Sequence, residues 1–240
     1  FRRACLAAEH FNLFQTTRRS EYYHQAIRIN STYRVYNNNF GPVYLGLRKL
    51  SKAEREFLNI KKVDPKNPQP YLGLGEIALQ RSNFTKAKRL FVFALRQKAD
   101  LPSALLGLAQ AEFHLKNFKE AKKLLLRYKS RQPLQPQTYY LLGCIFEKEK
   151  KFSESAVFYK DAIRLGFGGI EPISRLFKIS YHLEEKDAII KYVITRFKEF
   201  KKAFIRQKNL SLKQARRLRN LRQTERKMAV LEKALYRENC

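Results

Sequence analysis

The chain has 240 residues, enough for one large domain or two small ones with a buried core. Fifty Lys and Arg against 21 Asp and Glu give a net charge of +29, while 44% hydrophobic and 13% aromatic content excludes a disordered basic tail. No apolar run reaches the roughly 18 residues that a membrane-spanning helix needs, so the charge calls for an acidic partner or surface outside a membrane core.

Cys5, Cys144 and Cys240 are scattered and odd in number, which argues against a disulfide framework and against paired metal ligands. That usage points to a reducing compartment, so an intracellular, cytoplasmic chain is expected. The chain opens at Phe1 rather than Met, which leaves its true start open. The opening FRRACLAAEHF lacks the long apolar core of a retained secretory signal.

Internal similarity organises the rest of the chain. Asn83-Phe84, Asn117-Phe118 and Lys151-Phe152 are 34 residues apart, and the register extends both ways without an insertion. One column reads Leu6, Phe40, Leu74, Leu108, Leu142 and Leu176; the next reads Ala7, Gly41, Gly75, Ala109, Gly143 and Phe177. A third holds Ala53, Ala87, Ala121 and Ser155; a fourth holds Phe57, Phe91, Leu125 and Tyr159. Each unit carries two helix-length segments with apolar residues at a 3.6-residue period. The small residues let paired helices cross closely, and the large ones fill the space between pairs. A single pair cannot bury its apolar face, so the pairs must stack.

Residues 1–33 form an eroded first repeat, with Arg19 where a small residue is expected. Residues 34–169 hold four well-matched repeats. In the first of these, Pro42 predicts a kinked helix, or a short one starting late after Asn37-Asn38-Asn39. Ser51-x-x-Glu54 predicts a capping box that opens the following helix. Prolines punctuate the unit boundaries at Pro65, Pro68, Pro102, Pro133, Pro136 and Pro172. Gly166, Gly168 and Gly169 mark an irregular joint before an eroded sixth repeat over 170–203, where Ile189 replaces the small residue. Residues 204–240 are read as a basic C-terminal capping or extension helix. The stretch 196–240 has 15 Lys and Arg against 4 Asp and Glu, a net of +11. Ser211-x-x-Gln214 predicts a helix start near Leu212. Leu218, Leu221, Met228, Leu231 and Leu235 form an apolar stripe at helical spacing.

The motifs Y71-L-G-L74-G75, A87-x3-F91-x2-A94 and A121-x3-L125 with Pro133 resemble the tetratricopeptide repeat, a 34-residue helix–turn–helix unit. The resemblance covers about 200 residues and is strongest over 34–169. It implies an all-α, right-handed superhelical solenoid of such repeats ending in the basic C-terminal helix. It also implies that the first helix of each pair lines a concave groove. Groove-facing positions are then Leu72, Glu76, Leu79 and Gln80, followed by Leu106, Gln110, Phe113 and His114, followed by Tyr140, Cys144 and Glu147. Leu72, Leu106 and Tyr140 stand where relatives that grip a terminal carboxylate carry polar or basic residues, so that clamp is not expected. A largely uncharged, partly aromatic groove suits an apolar helix or an extended segment of a protein partner.

The basic residues cluster elsewhere. Lys86, Lys88, Arg89, Lys119, Lys122, Lys123 and Arg127 fall in the second helices of two repeats. Arg216, Arg217, Arg219, Arg222, Arg226 and Lys227 back the C-terminal apolar stripe. No phosphate-cradling glycine loop is present, and His10, His24, His114 and His182 form no metal-ligand pair. Cys144 follows the packing Gly143 and reads as a small buried or groove thiol rather than a nucleophile. Glu147-Glu149 and Glu184-Glu185 read as solvated charges. No catalytic residue, cofactor or metal is expected. The expected function is a non-enzymatic scaffold that docks partner segments in its groove and joins a larger acidic assembly through its basic outer face and C-terminal helix. The alternative is a repeat protein associated with RNA or DNA through those same basic residues, with membrane-surface attachment less favoured.

Overall fold

The computed structural model describes residues 40–211 and 217–237, and every regular element among them is an α-helix. The first repeat, Cys5, Cys240, His10, His24, Arg216 and the cap expected near Leu212 lie outside the described residues. The chain divides into two compact units, Phe1–Ala111 and Glu112–Cys240. The first holds α1 (Phe40–Gly46), α2 (Leu50–Val63), α3 (Pro68–Gln80), α4 (Phe84–Gln97) and most of α5 (Pro102–His114). The second holds α6 (Phe118–Lys129), α7 (Pro136–Lys148), α8 (Phe152–Arg164), α9 (Glu171–Ser180), α10 (Lys186–Ser211) and α11 (Arg217–Arg237). Among the described residues no helix is long and apolar enough to cross a membrane.

The sequence period is visible in the helix starts. Pro68, Pro102 and Pro136 each open a first helix, where the missing N–H costs nothing and φ is already set. Phe84, Phe118 and Phe152 each open a second helix. The Asn67 side chain accepts from Gln69 N at 3.0 Å, and that of Asn83 accepts from Lys86 N at 3.1 Å, so both act as N-caps. The expected capping box at Ser51-x-x-Glu54 does not form. Helix α2 begins at Leu50 with Lys49 at the N-cap and no side-chain cap, two residues too early for Ser51 to cap it. Glu54 instead accepts from Arg81 at 2.6 Å. Pro42 lies in the short α1.

The turns between paired helices repeat as well. Arg48, Ser82, Lys116 and Lys150 have φ of 55°, 58°, 65° and 59°, in the left-handed region. They close the first helix of each pair in a Schellman arrangement: Ser82 N donates to Leu79 O at 2.9 Å and Asn83 N to Ala78 O at 2.8 Å. A Cβ in that region is crowded by the following carbonyl. Replacing exposed Ser82 with glycine is expected to raise stability by about 0.5–1 kcal/mol, as relief of crowding outweighs the added unfolded-state freedom. Urea denaturation checks this, and a lower midpoint would show that the serine contributes something other than strain.

The cores follow the small-and-large columns. Leu45, Ala53, Phe57, Leu74 and Ile77 cluster in the first unit. Gly75 and Gly107 both face the ring of Phe91; a Cβ on Gly75 would meet that ring at 2.7 Å. Gly143 stands the same way against Tyr159, at 2.6 Å. Tyr71 and Tyr139 sit at equivalent places two units apart, donating to Pro65 O at 2.8 Å and Pro133 O at 2.7 Å. In the second unit Met228, Leu231 and Leu235 of the expected stripe are buried in one core with Leu176, Val193 and Phe197. Helix α11 packs on α10, which runs unbroken past residue 203 to Ser211, and Lys201 donates to Glu232 at 2.6 Å between them.

Candidate partner-binding cavity

In the first unit, α1, α3 and the start of α5 are the first helices of three successive pairs. They wall a cavity of about 350 Å³. Its lining is Pro42, Leu45 and Gly46 from α1, Phe57 from α2, Gln69, Leu72, Gly73, Glu76 and Gln80 from α3, and Ser103 from α5. Pro68 and Asn67 fix the start of α3, so residues 69, 72, 76 and 80 recur on one side of the helix. The cavity therefore brings together Leu72, Glu76 and Gln80 of the expected groove. Leu79 is half-buried and is not part of the lining.

The walls are apolar on Leu45, Phe57 and Leu72, with amide groups from Gln69 and Gln80 at the rim. Glu76 is the one ionisable group in the lining. Among the described residues it has no hydrogen bond or ion pair. Burial raises its pKa above the ordinary carboxylate value. The residue nonetheless keeps solvent access.

The other expected groove positions have different surroundings. Leu106, Gln110 and Phe113 are half-buried on α5, and His114 is exposed at the surface, with partial desolvation lowering its pKa. Phe113 meets Phe118 edge-on at 5.7 Å. Tyr140, Cys144 and Glu147 are held in a polar network within the second unit. Tyr159 donates a short hydrogen bond to Glu147, Arg175 Nη1 donates to the same carboxylate at 3.0 Å, and Arg175 Nε donates to Tyr140 at 3.3 Å. Glu147 is thus no solvated charge, contrary to the expectation from its neighbours in sequence. Burial pushes the Tyr140 hydroxyl up to about 12 and raises the Cys144 thiol. Cys144 is free and 3% exposed, so it is held as a neutral thiol. Tyr159 and Arg175 were not among the expected site residues: Arg175 lies 28 positions from Glu147 and meets it only when α9 packs back.

Among the expected basic residues, Arg89, Lys119, Lys123, Arg127 and Arg226 are exposed. Lys88 is half-buried. Lys86 lies 3.8 Å from Glu54, Lys122 pairs with Glu149 at 2.9 Å, and Lys227 pairs with Glu171. The pairs Glu54–Arg81 and Lys122–Glu149 occupy the same two places in units 68 residues apart, with the charges exchanged. Lys122 also sits 4.0 Å over the Phe146 ring. Arg217, Arg219 and Arg222 lie on α11. Among the described residues no group of three His, Cys, Asp or Glu could hold a metal ion.

Paired helices repeating at 34 residues define the described chain as an all-α repeat solenoid. Family models of the tetratricopeptide repeat match residues 78–143 and 136–165. The structure is similar to MamA from Desulfovibrio magneticus RS-1, with 16% identity, 71% of this chain and 96% of that one covered, and a TM-score of 0.60. It is similar to PilF of Pseudomonas aeruginosa, with 13% identity, 84% and 90% coverage and a TM-score of 0.64. It is also similar to YrrB, described as a tetratricopeptide-repeat protein with an unusual peptide-binding site, with 16% identity, 72% and 91% coverage and a TM-score of 0.57. No curated protein sequence matches the chain.

Proposed function

We propose that the chain is a non-enzymatic protein-interaction scaffold whose first-unit cavity holds a segment of a partner. The segment places an apolar side chain against Leu45, Phe57 and Leu72 and a Lys or Arg opposite Glu76. The tetratricopeptide repeats over 78–165 support the scaffold reading. The observation that carries the finer one is Glu76, a carboxylate with no partner among the described residues in an otherwise uncharged lining, in a chain of net charge +29. Glu76 keeps solvent access but is partly desolvated, and a ligand seated over it would complete that desolvation, a cost that a cation supplied by the ligand offsets. The exposed basic residues of the second helices and of α11 then attach the scaffold to an acidic assembly.

Peptides selected from a displayed library on the full chain should share an apolar residue near a basic one. Glu76→Lys is expected to weaken their binding at least tenfold, about 1.4 kcal/mol. Leu72→Arg should do the same by filling the cavity. Affinity should rise as pH rises through the elevated Glu76 value, because the pairing form is the carboxylate. The free protein shows the opposite sign. With its folded pKa raised, protonated Glu76 contributes stability below the ordinary value of 4.5 that is lost as pH rises. Acidic peptides in the selection, or indifference to Glu76→Lys, would refute the reading. Binding of RNA or DNA through the outer basic residues would instead weaken steeply with salt and ignore Glu76.

A further inference from the structure

A second cavity, of about 330 Å³, opens in the second unit between α8 and α10, both of which pack on α9. Its walls are Lys160, Asp161, Ile163 and Arg164 from α8 and Tyr192 and Arg196 from α10. None of these residues lines the first-unit cavity, and none belongs to the basic residues singled out from the sequence. We propose that this cleft is an anion site for an Asp or Glu side chain of an acidic partner segment.

Three cations line the cleft, and two of them sit over one aromatic wall. Lys160 Nζ lies 5.9 Å from the Tyr192 ring centroid and the Arg196 guanidinium 5.3 Å from it. Two of the cations are already partly neutralised: Arg164 donates to Asp161 at 2.6 Å and Arg196 Nη1 donates to Glu199 at 2.8 Å. Lys160 has no carboxylate partner among the described residues. Three positive and two negative charges leave one in excess, which matches a monoanion better than a phosphate dianion.

The second observation concerns Arg196 itself. Its Nε is buried with no hydrogen-bond partner, one of two such side-chain atoms among the described residues, the other being Thr138 Oγ1. Buried N–H groups in folded proteins are nearly always paired. Here the unpaired donor belongs to a residue that lines an open cleft, with an ammonium on the facing helix that has no carboxylate partner among the described residues. A carboxylate presents two oxygens, one for Nε–H and one for Lys160, in charge-assisted hydrogen bonds. The cleft volume is about ten times the share of one water molecule in the liquid, so the side chain enters without displacing a helix.

The test follows the arginine Nε–H resonances of the full chain by NMR during titration with an acetylated, amidated tetraglutamate peptide. The Arg196 resonance should shift and saturate. Lys160→Gln combined with Arg196→Gln should weaken binding about tenfold. Lys66→Gln with Lys178→Gln, which removes the same charge from exposed positions outside the second helices and α11, should change it less than twofold. If the first variant fails to fold, exposed Arg164→Gln serves instead: it leaves Asp161 facing the ligand and should weaken binding at least threefold. An unmoved Arg196 resonance, or equal losses in the control variant, overturns the proposal in favour of diffuse charge attraction. Tighter saturation by inorganic phosphate overturns the carboxylate assignment. So does binding of phosphatidylserine vesicles or single-stranded RNA that depends on Arg196 while peptide binding does not.

Discussion

Phe91→Ala is expected to cost about 3–5 kcal/mol, the range for emptying a well-packed aromatic site. Phe91 is 1% exposed and its ring lies between Gly75 on α3 and Gly107 on α5. The two glycines lack a Cβ, so collapse of the walls into the vacated space would have to come from helix backbones, which move reluctantly. The loss should therefore sit near the upper end of the range. A repeat protein is held mainly by contacts between neighbouring units, so the substitution should uncouple α3–α4 from α5 and broaden or split the unfolding transition. Leu126→Ala is the control, because Leu126 is 45% exposed on α6 and should cost less than 1 kcal/mol. Urea denaturation followed by circular dichroism gives both values. Equal costs would mean that Phe91 is not the joint between successive pairs.

Phe91 is also an instance of what a sequence states openly. Its column of large residues alternates with a column of Gly and Ala at a fixed 34-residue spacing, and that alternation is itself the packing rule. The prolines at 68, 102 and 136 mark first-helix starts because proline fits the first turn and little else in a helix. The left-handed residues at 48, 82, 116 and 150 recur just as regularly but are Arg, Ser, Lys and Lys. With no glycine to flag the conformation, only the turn geometry shows it. Glu54 carried a capping-box pattern, yet the competing ion pair with Arg81 depends on a residue 27 positions later. The position of Glu76 on a groove face could be read from its spacing. Its lack of an ion pair among the described residues could not, because that depends on what the other walls of the cavity contribute.

Glu147→Ala should destabilise the second unit by about 2–3 kcal/mol, well above a surface ion pair. The carboxylate joins three helices: it lies on α7, accepts from Tyr159 on α8 and accepts from Arg175 on α9. Tyr159 is fully buried, so truncating Glu147 leaves its hydroxyl with only the weak Cys144 thiol as a partner and without water. Arg175 keeps 37% of its side chain exposed and can be rehydrated, which holds the loss below that of a fully buried broken pair. Removing the whole polar set, as Glu147→Leu with Arg175→Met and Tyr159→Phe, should recover most of the loss because no orphan remains. Glu54→Ala breaks the more exposed pair with Arg81 and should cost less than about 1 kcal/mol. If Glu147→Ala costs no more than Glu54→Ala, the network is surface decoration. If it costs what is expected, the groove-register positions Tyr140, Cys144 and Glu147 are committed to holding α7, α8 and α9 together. A partner reaching them would have to compete with an internal carboxylate for Arg175. Among the described residues Glu76 has no such internal partner, which supports the proposal that a ligand enters the first-unit cavity.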